Sequence, residues 1–458
     1  MYYKAPLKGL FIFLFVKIIY MNQLSNQPPK GTSDWFPVEY TKRKYIFDTW
    51  RKVCISFGYE EYLTPIIESA DVYRAKSGED VGGKELMVMT DRAGRELAIR
   101  PEMTPSVTRM VSRIYESSTK PLRLFSIANF LRNEKPQKGR NREFWQLNCD
   151  IFGSDSLMAD VEILQLGIEI MKEFGATKEQ FIVYYNDRRL IEALITDFLK
   201  VEKSKVSEAT RILDKFGKIN NDELVIRLKT EVGAQIDNPT ILLDYLSLEE
   251  DAFEYVYQNY LKENEGIKNL MAICNKLEAL GLAEYIKYNS SMVRGFDYYD
   301  GMVFEVYDRK DYLKRKGLLK TEDSYRSLFG GGRYNGLAGI FGSQSFPAVG
   351  FAPGDETTRI FLEEYDLLKK IYSEYKTYYI PVLDEKLTNK VLELASILRE
   401  SKSNIVKVGL EVQRMGKALE SANKINADYT LILGENELNA GKYLLKDMKS
   451  GDQMEINF

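Results

Sequence analysis

Three groups of residues could do chemistry. In the first, Arg132 and Glu134 end one strand-like run, and the loop Lys135-Pro136-Gln137-Lys138-Gly139-Arg140-Asn141-Arg142 packs four cations into eight residues. The run that follows puts Phe144, Gln146, Asn148, Asp150 and Phe152 on one face and Trp145, Leu147, Cys149 and Ile151 on the other, because side chains alternate along a strand. A polar strand face flanked by loop cations suits an anionic ligand that also hydrogen-bonds; a hairpin with a solvated tip would carry the same pattern. The second group is Arg100-Pro101-Glu102-Met103-Thr104, where a proline closes a strand and leaves a carboxylate beside a hydroxyl. The third is Arg294 with Tyr298 and Tyr299 in Met292-Val293-Arg294-Gly295-Phe296-Asp297-Tyr298-Tyr299, followed by the glycine-rich turn Phe329-Gly330-Gly331-Gly332-Arg333-Tyr334. That turn is not a Walker loop, since no Gly-Lys-Ser/Thr follows.

The chain has no histidine in 458 residues, where ordinary usage would give on the order of ten. Imidazole bases, Ser-His and Cys-His nucleophile pairs and histidine metal sites are therefore excluded. The chemistry left is that of guanidinium groups, carboxylates, backbone and Mg²⁺.

The elements that must position these groups follow from periodicity. Ile46, Trp50, Val53 and Phe57 recur at helical spacing over 38–57, and Gly58 stops that helix. A strand at 59–64 runs into Pro65, another at 96–99 leads to Arg100, and the hairpin 122–153 follows. A helix is predicted over 157–174 and a strand over 181–185. Residues 190–288 read as almost wholly helical, with packing and RNA contact equally open as their purpose. From about Glu374 the pattern is βαβαβ, with strands at 377–382, 405–408 and 429–434, helices at 385–400 and 414–425, and a final hairpin over 440–456.

Hydrophobic content of 44% and charged content of 29% indicate a soluble globular protein, long enough for two or three domains. Lys+Arg 64 against Asp+Glu 67 means that any nucleic acid would be met by local patches. Cys54, Cys149 and Cys274 are far apart without metal-ligand spacing, so a reducing compartment and no structural metal are expected. The apolar run 10–20 is too short to span a membrane, and residues 1–20 are expected to be an upstream extension, with a membrane-associating segment as the other reading; no membrane association is expected of the rest.

Leu131-Arg132-Asn133-Glu134 followed by Gly139-Arg140-Asn141-Arg142-Glu143-Phe144-Trp145-Gln146 resembles motif 2 of class II aminoacyl-tRNA synthetases. Arg-Gly-Phe-Asp-Tyr-Tyr at 294–299, with Val303-Phe304-Glu305 after it, is similar to the histidine-specific signature of the histidyl-tRNA synthetase family. RPEMT, GGGRY and the order of all four blocks agree with that family, and the resemblance covers essentially everything after Met21. It implies an α+β fold: a class II antiparallel-sheet catalytic domain over 21–189 and 289–370, a helical insertion at 190–288, and a C-terminal α/β anticodon-binding domain at 374–458.

The implied activity is activation of histidine with ATP and Mg²⁺ to histidyl-adenylate, then transfer to the 3′ end of tRNA-His, by a cytoplasmic homodimer. By position in the motifs, Arg132 and Arg294 would be catalytic, gripping the α-phosphate and the substrate carboxylate. Glu134, Arg142, Phe144 and Arg333 would join Arg132 around ATP. Glu102, Thr104, Gln146, Asp150, Tyr298 and Tyr299 would join both arginines around histidine. Gln137, Lys138 and Arg142 would meet tRNA.

Motif 3, Ala348 to Arg359, departs from the family pattern: Thr357 stands where Arg should follow Glu356, and Arg359 comes two residues later. Two residues turn a helix by about 200°, so Arg359 is expected to point away from ATP. This leaves open a non-catalytic, synthetase-like regulatory subunit of histidine biosynthesis as the second reading. A synthetase for another amino acid is disfavoured by RGFDYY and the helical insertion.

Overall fold

The computed structural model describes residues 24–75, 80–137, 139–292, 298–309, 327–342, 344–368 and 375–458. Arg294, Lys138 and the extension 1–20 lie outside the described residues. The chain divides into two compact units, one up to Leu367 and one from Leu368 to Phe458.

In the first unit, helix Pro37–Ser56 opens on a proline in its first turn and buries Ile46, Trp50, Val53 and Cys54. Strand β1 (Glu60–Glu61) is only two residues long, shorter than the 59–64 run suggested. Tyr62 donates one more ladder bond, to the Phe125 carbonyl, but Pro65 has no N–H with which to continue. A small sheet follows, built from β2 (Ile67–Ser69), β3 (Met87–Thr90) and β4 (Glu96–Ile99) in the order β2-β4-β3.

The main sheet is assembled from β5 (Leu122–Leu131), β6 (Glu143–Phe152), β7 (Phe181–Asp187), β8 (Ile286–Tyr288), β9 (Met302–Asp308), β10 (Phe329–Arg333) and β11 (Ala348–Phe351), together with β1. Its order is β1-β5-β6-β11-β10-β9-β7-β8. Every pairing from β5 to β7 is antiparallel, and only the flanking β1 and β8 are parallel to their neighbours. The expected α+β architecture is present. Register matters to the site: Gly350 on β11 stands opposite Asp150 on β6, and Gly332 on β10 stands opposite Gly350. Both glycines are required by close approach. A Cβ on Gly350 would fall 2.0 Å from Asp150 Oδ1, and one on Gly332 would fall 2.8 Å from the Tyr299 ring.

Between β7 and β8 the chain is helical, with its longer helices at Val206–Leu213, Asn221–Val232, Pro239–Ser247 and Glu265–Ala279. Three of these start on an asparagine cap: Asn220, Asn238 and Asn264 each accept from the amide two residues on. Gly233, left-handed, ends the second.

The second unit carries β12 (Lys376–Val382), β13 (Asn404–Val412), β14 (Tyr429–Ile432), β15 (Lys442–Asp447) and β16 (Gln453–Asn457) in the order β13-β12-β14-β15-β16. The first three are parallel and the last two form an antiparallel hairpin. Helix Thr388–Glu400 packs Val391, Leu394 and Ala395 against Ile380 and Leu431.

Candidate active site

One cavity of about 1010 Å³ opens over β6, β10 and β11. Its wall collects residues from blocks far apart in sequence: Glu102 and Thr104, Arg132 and Glu134, Phe144 to Asp150, Tyr298 and Tyr299, Tyr334, and the start of helix Asp355–Glu364. Of the five residues of β6 that alternate onto one face, Phe144, Gln146, Asn148 and Asp150 line it, while Phe152 is buried in the core. The opposite face packs inward, with Trp145 5.3 Å from Phe47 on the first helix.

Arg132 lies with its guanidinium carbon 5.1 Å from the centre of the Phe144 ring and donates from Nε to the Pro101 carbonyl at 3.0 Å. The end of β5 is thus tied to the RPEMT turn. Arg140 forms an ion pair with the buried Glu134 at 2.8 Å and also lines the cavity. The loop tip is a tight turn in which Gln137 and Arg140 exchange backbone hydrogen bonds around left-handed Gly139. A Cβ on Gly139 would lie 3.9 Å from Thr357 Cγ2, so the tip sits against the first turn of helix Asp355–Glu364.

At the deep end, Glu102 is buried and accepts a hydrogen bond from the Tyr298 hydroxyl at 3.2 Å. Asp150 accepts from the Tyr334 hydroxyl at 2.5 Å. Burial pushes the Asp150 carboxyl up to about 7, against the lowering effect of that bond. Gln146 donates from its amide to the Ala352 carbonyl.

Two expected ATP ligands do not line the cavity. Arg333 is buried in a fork with Asp160, at 2.6 and 3.1 Å, and donates to the Ser154 and Ser156 carbonyls. It holds helix Leu157–Glu173 to the sheet. The cause is strand alternation: Gly332 occupies the position against Tyr299, and its neighbour turns to the other side. Arg142 donates to the Glu134 carbonyl, and its alkyl chain fills the space over Gly31. Gln137 is likewise outside the lining. Thr357 lines the cavity and donates to the Leu328 and Gly354 carbonyls. Arg359 points off the cavity to Glu356 and Glu363.

Several lining residues had no part in the sequence-based site. In the sequence Arg140 reads only as loop charge, although its spacing is as good as that of Arg142. Tyr334 follows Arg333 directly, and alternation turns Tyr334 to the cavity while Arg333 faces the other side. Asp214, Phe216 and Lys218, from the turn after helix Val206–Leu213, close one side of the cavity; no local pattern marks them.

An antiparallel sheet with a motif 2 hairpin, an RPExT turn and a helix behind its last strand defines the catalytic core of a class II aminoacyl-tRNA synthetase. The description Histidyl-tRNA synthetase matches residues 31–355, and Anticodon binding domain matches residues 376–458. A histidine–tRNA ligase of Leptospira biflexa is 38% identical over 441 residues, covering 95% of this chain and 96% of that protein. One from Thermococcus kodakarensis is 33% identical over 93% of this chain and 95% of its own. The chain belongs to the histidyl-tRNA synthetase family. Among solved structures, histidyl-tRNA synthetase from Nostoc sp. PCC 7120 shares the fold, with a TM-score of 0.77 and 21% identity over 95% of this chain and 97% of that one. An ATP phosphoribosyltransferase regulatory subunit/histidyl-tRNA synthetase from Bacillus halodurans C also shares it, with a TM-score of 0.69 and 23% identity over 87% and 97%.

Proposed function

We propose that this protein is an ATP-dependent histidine–tRNA ligase whose residues divide the cavity into a nucleotide end and a histidine end. The observation that carries the reading is the convergence of the RPEMT, motif 2, DYY and GGGRY blocks on one cavity. The first step is in-line attack of the histidine carboxylate on the α-phosphorus of ATP, expelling pyrophosphate. A carboxylate is already ionised near neutral pH, so no protein base is needed. The work is to align two anions and stabilise the charge that builds between them.

Arg132 is placed to hold the α-phosphate, with its fork fixed by the Pro101 carbonyl and Phe144. Phe144 offers a face for adenine. Among the described lining residues the cations are Arg132, Arg140 and Lys218, which makes Arg140 the group for the polyphosphate. Arg294 is assigned the α-phosphate and substrate carboxylate from its place in the signature. Glu102 and Thr104 receive the ammonium group, with Gln146 nearby. Asp150 and Tyr299 take the two imidazole nitrogens, since the Tyr298 hydroxyl is given to Glu102. A site built to hydrogen-bond both nitrogens rejects analogues that leave its buried groups unpaired.

Mg²⁺ would travel with ATP. No group of three acidic or cysteine side chains able to hold a metal occurs among the described residues; Mg²⁺ is usually carried by phosphates and one or two carboxylates, here Glu134. It would neutralise charge on the polyphosphate. The tRNA is assigned to the loop 135–142, the turn 214–218 and the second unit. A homodimer is suggested by the exposed Leu63, Ile66, Ile67, Val88 and Met89 around the small sheet. No helix among the described residues is long and apolar enough to cross a membrane, and the cytoplasm is where such an enzyme would meet its tRNA.

The test is exchange of labelled pyrophosphate into ATP. Exchange with histidine, and none with proline, threonine or glycine, is expected. Histidine binding without exchange would overturn the catalytic reading.

A further inference from the structure

The Asp150–Tyr334 pair is more than packing. Tyr334 is buried, lines the cavity, and gives its hydroxyl to Asp150 Oδ1. Its ring stands edge-on to Tyr298 at 5.9 Å and to Phe152 at 6.3 Å, so neither the ring nor the hydroxyl is free to turn. On the other flank Gly350 approaches Oδ1 so closely that no side chain fits there. Oδ1 is therefore held by one donor and crowded by the Gly350 backbone, and no described residue donates to Oδ2. A carboxylate fixed in this way has one oxygen left for a ligand N–H.

We propose that Tyr334 is a positioning residue for histidine selection, locking Asp150 so that Oδ2 meets the imidazole N–H and keeping that carboxyl ionised at working pH. The inference rests on the histidine reading above. Its chemistry is simple. A phenol O–H donating to a carboxylate stabilises the ionised form, which is the form that accepts from imidazole. Among the described residues, the groups facing Asp150 from the surrounding elements are Tyr334 after β10, Tyr62 after β1, and Cys149 beside it on β6, with the Tyr298–Glu102 pair one layer further. None of these is a cation, so burial favours protonation and the Tyr334 hydroxyl is the described group that opposes it.

The test compares Y334F with the parent enzyme in histidine-dependent pyrophosphate exchange from pH 6 to 9. Free histidine titrates identically in both arms, so the ratio of KM values isolates the protein. At pH 8.5 to 9 the KM for histidine is expected to agree within about threefold. Towards pH 6.5 the Y334F value should climb to about tenfold above the parent, with kcat little changed. This is equivalent to an acid limb displaced upward by about one pH unit. A KM ratio constant across pH would mean a merely structural role and overturn the proposal. A second comparison uses D150N, in which there is no carboxyl to hold. Y334F should add nothing there, measured as histidine binding by calorimetry; an undiminished Y334F effect in D150N would equally overturn it. If the parent binds histidine but shows no exchange, the ligase reading fails, while the calorimetric pH comparison still decides the role of Tyr334.

Discussion

Gly350→Ala is the most direct probe of the histidine end. The new Cβ would stand 2.0 Å from Asp150 Oδ1 and 2.6 Å from the Cys149 carbonyl oxygen. Real Cβ contacts do not come this close, so something must move. The Cys149 carbonyl belongs to β6, which is held by ten register pairs to β5 and four to β11. The Asp150 side chain, at the end of a single bond, is displaced first, and the 2.6 Å approach to the Cys149 carbonyl must be met by a shift of the paired strands as well. Turning it away breaks the Tyr334 bond and withdraws the imidazole acceptor. Overpacking a buried site typically costs about 1–3 kcal/mol, and loss of a hydrogen bond to a charged group about 1.5–3 kcal/mol. The overpacking falls on folding stability, while the lost acceptor predicts a fall of about 10- to 100-fold in kcat/KM for histidine, at about 1.4 kcal/mol per tenfold.

The assay is pyrophosphate exchange over a histidine titration, with thermal unfolding alongside. Gly336→Ala is the control, because a Cβ there meets nothing within 4 Å. The expected outcome is a large rise in the KM for histidine in G350A, little change in the KM for ATP, and a thermal midpoint lower by a few degrees. G336A should match the parent. A KM for histidine within threefold of the parent in a folded G350A would refute both the placement of Asp150 and its role as imidazole acceptor.

Arg132→Ala should lower the exchange rate by about 10²–10³-fold, the size of a lost oxyanion donor, with Arg132→Lys recovering only part because a point charge cannot reproduce the fork. Arg333→Met should lower the thermal midpoint by several degrees, since it strands the buried Asp160, yet leave the KM for ATP within threefold; a selective loss of ATP affinity would restore Arg333 to the nucleotide site. Asp150, lifted to about 7 by burial, holds its proton more tightly folded than unfolded, where a carboxyl titrates near about 3.9. The folded state therefore loses stability as pH rises between those values, and D150N should raise the thermal midpoint most at pH 8, the gain shrinking towards pH 4, with histidine-dependent exchange lost throughout. Cys54 and Cys149 are buried with their sulfurs 3.3 Å apart, and burial pushes the Cys149 thiol up. A thiol reagent should therefore titrate Cys274 first and the other two only after unfolding.

Local pattern carried much of this site. Alternation along β6 was enough to bring Phe144, Gln146, Asn148 and Asp150 to one face, because a ten-residue strand paired on both sides has no freedom to slip. It failed where the backbone turns. In the loop 135–142 the turn in which Gln137 and Arg140 exchange backbone hydrogen bonds decides which arginine lines the cavity, and Arg140 rather than Arg142 does so. At the end of β10 a motif gives the order of residues but not their side, and Arg333 turned out to be a clamp for Asp160. The turn at Asp214–Lys218 reaches the cavity only through the packing of helices remote in sequence, which no periodicity encodes.

The departure in motif 3 has a physical consequence beyond a missing ligand. Glu356 lines the cavity, and ATP is polyanionic, so an uncompensated carboxylate there would oppose binding. Two guanidinium groups hold it from outside. Arg43, on the first helix, pairs with Glu356 at 3.1 Å and with buried Asp355, and stacks 3.2 Å over Trp35. Arg359 pairs with Glu356 at 2.7 Å and with Glu363. Asp355 in turn accepts from the Trp145 amide on β6 at 2.9 Å, so the same network fixes the helix to the strand that carries Gln146 and Asp150. Burial draws the Arg43 guanidinium down to about 10, still well above physiological pH, so its charge is present. Arg359 is thus displaced from the nucleotide but not from its electrostatics: it sits behind the carboxylate instead of in front of the phosphate. Thr357, satisfied by two backbone carbonyls, leaves room for the loop tip that carries Arg140. On the proposed reading, the Arg140 cation from the motif 2 loop and the paired Glu356 would serve the polyphosphate without arginine at position 357.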